Sequence, residues 1–169
     1  MLNRVLGGAP GSRLNDDLRG AQGLTYGFES DVRSEAGASW LGIDGSFRAV
    51  RAREALTALL RAIDALRARG PSHEEFERAH RLSLDEARDA LASNPSLALH
   101  LARSFGRGIA PERFDQADAR VAAVTLDDVR RVAQQVLTRE RIAMVLRGPI
   151  RPLEGALREL GCQVVKPTQ

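Results

Sequence analysis

The chain has 169 residues, 43% apolar and 28% charged, with a formal net charge of only +3. That length supports one domain with a real core, and the composition is that of an ordinary soluble globular protein. The pI of about 9.9 reflects an almost purely arginine basic set, with Lys166 the one lysine. Those arginines are interleaved with acids and aromatics are sparse, so the charge argues against a nucleic-acid surface and for a GC-rich genome. Cys162 is alone, which excludes an intrachain disulfide and a thiolate metal cluster. No run approaches the roughly 18 apolar residues of a membrane span, and Met1 opens no signal peptide.

In chain order, residues 1–7 predict the end of a helix stopped by Gly7-Gly8 and Pro10-Gly11. Ser12 is positioned to cap a short helix over 13–21, which Gly23 ends. Leu24, Tyr26 and Phe28 then alternate with Thr25, Gly27 and Glu29, a strand with those three on one face. A polar turn at 34–37 leads to a second strand over 38–47, with Leu41, Ile43 and Phe47 sharing a face, so the two should form an antiparallel hairpin. The period then changes. Leu56, Leu59, Leu60, Ile63 and Leu66 mark an amphipathic helix over 50–69, closed by Gly70-Pro71.

Ser72 and Glu75 form a capping box for the next helix, which presents Phe76, Ala79, Leu84, Ala87 and Leu91. A third helix carries Leu97, Leu101 and Phe105, Pro111 opens a further segment, and Thr125 caps a helix bearing Val129, Val132 and Val136. A late strand is expected at 141–147, a last helix with Pro152 in its first turn and Gly161 at its end, and a terminal strand at 163–165. Strands first, helices in the middle and a strand late give an α+β domain, an antiparallel sheet with helices packed on one face.

Few residues offer pointed chemistry. His73, Glu77 and His80 lie near one helix face, but they form neither of the paired-histidine zinc motifs, and a charged helix face explains them better. His100 is isolated. Gly7, Gly8 and Gly11 lack the Gly-Lys-Ser/Thr of a phosphate loop, so permissive turn geometry is their plain role. Arg19 and Tyr26, seven residues apart, flank a helix-to-strand turn. A planar fork of donors beside a phenol can hold a peptide carbonyl or stabilise an oxyanion. Their plain readings are a solvated arginine at a helix end and a core tyrosine with its hydroxyl at an edge.

The pattern Asn3-x-x-Leu6-Gly7-Gly8, Ser12-Arg13-Leu14, Leu18-Arg19, Gly23-Leu24-x-Tyr26 resembles the second-domain half of pitrilysin/insulinase-type zinc metallopeptidases. The resemblance continues through Ser72 to Phe76, Val124 to Val129, Val145 to Gly148 and Leu160-Gly161, nearly the whole chain. It implies a LuxS-like metallopeptidase half-domain, a single domain over 1–169 that lacks its first strand region, with Met1 inside a helix. In that family one half carries zinc, and the other supplies an Arg/Tyr pair that engages substrate. Arg19 and Tyr26 match the pair in type and spacing, and the Gly7-Gly8 loop lies near the substrate chamber. Gly20 departs from the family's usual Glu.

The resemblance thus implies substrate binding by Arg19, Tyr26, Gly7 and Gly8, no metal or cofactor in this chain, and zinc on a partner domain. Peptide is the implied substrate, in a homo- or heterodimer of the bacterial cytoplasm or periplasm. The alternative is a catalytically inactive structural or assembly subunit with the same fold. The loss of a leading strand would expose a sheet edge and invite pairing with another chain.

Overall fold

The computed structural model describes residues 1–35, 37–89, 92–106, 108 and 116–165, apart from the side chain of His100. Leu91, the segment at Pro111 and Lys166 lie outside the described residues.

The fold is organised by one helix. Over Ala52–Arg69 (α2), Leu56, Leu59, Leu60, Ile63 and Leu66 recur three and four apart, so one stripe faces inward and all five are buried. Against the stripe lie Val5 and Leu6 of a five-residue helix Leu2–Leu6 (α1), Leu14, Leu18 and Phe28. Ala79 of α3 (His73–Asp89) and Ala133 of α6 (Leu126–Val136) close the same cluster. A second, smaller cluster joins Ala52 and Leu56 to Leu153 and Ala156 of the last helix, Ile150–Glu159 (α7). Helices α4 (Asn94–Phe105) and α5 (Ala117–Ala122) are largely exposed among the described residues, and Phe105 is 57% exposed rather than core.

The hairpin is antiparallel as expected: β1 (Thr25–Glu35) pairs with β2 (Ala38–Phe47), with Phe28 opposite Gly45, Ser30 opposite Ile43 and Val32 opposite Leu41. Phe28, Leu41, Ile43 and Phe47 face the helices, and Val32 and Trp40 are exposed. The Phe28 ring lies over Gly45 where a Cβ would stand. The domain is therefore α+β, with helices on one face of an antiparallel sheet. β1 runs further than its apolar pattern, since Ser34 and Glu35 pair with Ser39 and Ala38, and Gly37, at φ +84°, turns the chain.

Three local expectations are corrected. The helix predicted over 13–21 is mostly a π-helix, Asn15–Ala21. The Ser12 hydroxyl does not cap it; Ser12 Oγ accepts from Asn15 Nδ2 at 3.2 Å, and the Ser12 carbonyl takes the Asn15 and Asp16 amides. The strand expected at 141–147 has strand-like burial, with Ile142, Met144 and Leu146 half-buried between exposed neighbours, but no strand among the described residues pairs with it. Residues 163–165 likewise join no ladder. Alternation sets which side chains point inward, but a strand also needs a partner edge within hydrogen-bonding reach.

The Ser72/Glu75 box is present: Ser72 Oγ accepts the Glu75 amide at 3.1 Å, and Glu75 Oε2 accepts the Ser72 amide at 2.7 Å. Arg13 adds a bidentate pair to the same carboxylate at 2.8 and 2.6 Å, which ties the loop before the π-helix to the start of α3. Burial pushes the Glu75 pKa up, but the Arg13 fork and the Ser72 amide together outweigh it and leave the carboxyl below its usual 4.5. On Asp64 the hydrogen bond from Arg139 dominates, and the shift is also downward.

A carboxyl depressed in the fold adds stability that is complete above its unfolded pKa and lost as pH falls through the folded value. Thermal unfolding should therefore show Tm declining below pH about 4.5. Glu75→Gln should flatten that slope and cost about 1.5–3 kcal/mol at neutral pH. An unchanged acid slope in the variant would contradict the assignment.

Candidate functional site

Arg19 and Tyr26 sit at one corner, where the π-helix hands over to β1. Leu18 buries completely into the core cluster, so its neighbour Arg19 is turned to solvent. The turn back is tight. The Gly23 amide donates to the Arg19 carbonyl at 3.3 Å and the Leu24 amide to the Leu18 carbonyl at 2.9 Å, with Gly23 at φ +57°. A side chain at that φ would be strained, which explains a glycine there. The Arg19 guanidinium makes no hydrogen bond or ion pair with any described residue, whereas Arg4, Arg13, Arg33, Arg51 and Arg139 are each paired.

Tyr26 does not share a face with Leu24 and Phe28. Those two are 4% and 3% exposed, and Tyr26 is 86% exposed. Its displacement has a specific cause. Thr25 pairs with Phe47 and Gly27 with Ser46, so Tyr26 is the extra residue of a β-bulge and leaves the alternation. Two side chains build that bulge. Thr25 Oγ1 donates to the Ser46 carbonyl at 2.5 Å and accepts the Gly27 amide at 3.0 Å. Asn15 Oδ1, from the π-helix, accepts the Phe28 amide at 3.2 Å. Thr25 and Asn15 thus satisfy two successive amides at the start of β1, and the Asn15 bond ties helix to strand. They were not singled out from the sequence; an Asx or Thr side chain near a helix-to-strand turn is the available signal.

Gly7 and Gly8 lie behind this corner rather than in it. Both amides donate to the Asn3 carbonyl, at 3.1 and 2.8 Å, and Ser30 Oγ of β1 donates to the same oxygen at 3.2 Å. A Cβ at Gly7 would stand 2.9 Å from Ser30 Oγ, so the pair lets α1 close against β1. Neither glycine has positive φ; their role is close approach, and among the three loop glycines only Gly11, at φ +69°, uses the left-handed region.

On α3, His73 and Glu77 are exposed, and the half-buried His80 stacks near Phe76 with ring centroids 5.4 Å apart. Among the described residues, no three His, Cys, Asp or Glu side chains come together as a metal-binding group. Cys162 is half-buried and in no disulfide. No helix is long and apolar enough to cross a membrane among the described residues.

The chain thus combines a glycine loop closing on a strand, a bulged corner with an exposed Arg and Tyr, and helices on one sheet face, with no metal-binding group among the described residues. Residues 1–82, just under half of the chain, match the family model described as the peptidase M16 inactive domain. The resemblance to pitrilysin/insulinase-type peptidases is thereby borne out. An uncharacterized zinc protease of Streptomyces coelicolor is 29% identical over an alignment of 154 residues that covers 89% of this chain and 33% of that protein. The chain thus spans about a third of the length of this curated relative.

Among solved structures, the peptidase M16 inactive domain of Pseudomonas fluorescens superposes with a TM-score of 0.70 at 23% identity, over 80% of this chain and 32% of that one. A proposed zinc protease of Bordetella pertussis does so with a TM-score of 0.67 at 25% identity, over 82% of this chain and 77% of that one.

The bulge can be tested directly. Asn15→Ala strands the Phe28 amide and should cost about 1–3 kcal/mol in denaturant unfolding. Thr25→Val keeps shape, removes both hydroxyl bonds and should cost a similar amount. Loss under about 0.5 kcal/mol in both variants would show that the bulge does not depend on these side chains.

Proposed function

We propose that this chain is the non-zinc-binding, substrate-engaging domain of a pitrilysin/insulinase-like metalloendopeptidase and acts with a zinc-bearing partner domain in peptide hydrolysis. The observation that carries the reading is the corner itself: Arg19 and Tyr26 both project to solvent, on opposite sides of one turn, with no described internal partner holding either. A bulge that swings an aromatic out of a core face, and a π turn beside it, are features that recur at functional sites.

In this reading the Arg19 guanidinium forks onto a carbonyl or tetrahedral-intermediate oxygen of the bound peptide. The Tyr26 phenol adds a second donor, and the partner supplies metal and base. Gly7 and Gly8 support the corner from behind, because their amides are spent on Asn3. The assembly-subunit alternative would be favoured by an Arg19 tied into an internal ion pair, and none is formed among the described residues.

Mixed with the zinc-bearing partner, Arg19→Ala and Tyr26→Phe should each lower peptide hydrolysis by about 100- to 1,000-fold, the effect of losing one preorganised donor. Their unfolding midpoints should stay unchanged, since both side chains are exposed. Activity equal to that of the unaltered mixture in both variants would remove the pair from the mechanism and leave the assembly role.

A further inference from the structure

Two donors can meet one oxygen only if their separation is fixed, and Arg19 and Tyr26 stand on different elements. Each element is held by its own contacts. Leu18 anchors the π-helix in the core, and Thr25 Oγ1 shapes the bulge through bonds within the hairpin, to Ser46 and Gly27. Between the two elements the backbone supplies only the turn itself, through the Gly23 and Leu24 amides. The Gly23 carbonyl also takes a long bond of 3.4 Å from Arg51, whose fork is otherwise on Glu54. Leu18 and Phe28 share the apolar cluster, but such contact is non-directional and sets no register.

Among the described residues, a single hydrogen bond runs from the π-helix into β1: Asn15 Oδ1 accepts the Phe28 amide at 3.2 Å. The Asn15 amide is engaged at both ends, because Nδ2 donates to Oγ of the buried Ser12, also at 3.2 Å. A reversed amide would set Nδ2 against the Phe28 N–H, donor against donor, so the side chain has one orientation. Asn15 opens the helix that carries Arg19 four residues on, and it grips the strand two residues beyond Tyr26. It hydrogen-bonds to neither side chain of the pair.

We infer that Asn15 is a positioning residue for peptide hydrolysis: it sets the distance and angle between the Arg19 guanidinium and the Tyr26 phenol, so that both reach one oxygen of the peptide. The inference rests on the proposed role of that pair and adds a requirement which that role alone does not make. Preorganised donors are effective because they already point to where charge develops. A misplacement of about 1 Å can cost about 100-fold in rate. Loosening the bond between helix and strand therefore falls on kcat rather than on KM, since it spoils a geometry needed in the transition state.

The geometry is tested first in the chain alone. Spin labels at positions 19 and 26, introduced by Arg19→Cys and Tyr26→Cys with Cys162→Ser, should give one narrow distance distribution. Asn15→Ala should broaden it. Thr125→Ala, which removes the α6 cap at a comparable cost in stability, should leave it narrow. The chemistry is then tested with the zinc-bearing partner and an internally quenched peptide. Asn15→Ala should lower kcat about 10- to 100-fold with KM within about threefold, and Thr125→Ala should change neither. In the Asn15→Ala background, Arg19→Ala should cost about tenfold or less, in place of the loss of about 100- to 1,000-fold expected in the unaltered chain. A distance distribution unmoved by Asn15→Ala, an equal kcat loss in Thr125→Ala, or the full Arg19 effect in both backgrounds would overturn the positioning role and leave the proposed function standing. An Arg19→Ala chain as active as the unaltered one would overturn both.

Discussion

Two amides hold the corner between the π-helix and β1 in place. At the start of β1 the Gly27 and Phe28 N–H groups are answered by the Thr25 hydroxyl and the Asn15 amide oxygen in place of the regular strand ladder. A buried amide left without an acceptor costs on the order of 1–3 kcal/mol, so a bulge here is stable only if side chains replace the lost ladder bonds. Because they do, Tyr26 is ejected from the face that holds Leu24 and Phe28. Because one of them reaches across from the π-helix, Arg19 is fixed relative to the strand. Leu18, fully buried, anchors the helix end from below. The corner is thus tied to the core through Leu18 and to the strand through Asn15.

Much of the remaining structure serves to brace that corner. The Asn3 carbonyl collects the Gly7 and Gly8 amides and the Ser30 hydroxyl, which pins α1 to β1. Arg13 and Glu75 pin the loop before the π-helix to α3. Both fastenings involve residues of the shared family pattern, and both are structural. A motif that resembles a catalytic family can therefore mark the scaffold of the site as much as the site itself. Here the Gly7 and Gly8 amides are spent inside the fold, whereas Arg19 and Tyr26 face outward.

The elements that could be read from the sequence were those set by local chemistry. The α2 stripe, the Ser72/Glu75 box, the Thr125 cap and the hairpin follow from spacing and from short-range side-chain bonds, and they stand where expected. The misreadings concern features decided at longer range. Strict alternation placed Tyr26 beside Leu24 and Phe28, but the Asn15 bond from another element selects the bulge. The run over 141–147 has the right alternation, but its edge partner is absent among the described residues. Ser12 had the right residue type for a cap, yet its hydroxyl is taken by Asn15. Composition and period see one residue's preferences, whereas these outcomes depend on which neighbour claims a hydrogen bond first.

The chain has one tyrosine, so the corner carries its own probe. The most direct measurement is the NMR signal of a ring-labelled Tyr26 in the assembly with the zinc-bearing partner, before and after addition of an uncleavable peptide. Contact with the bound backbone predicts a changed ring shift and a phenol withdrawn from solvent. A ring signal unmoved by saturating peptide would contradict the account.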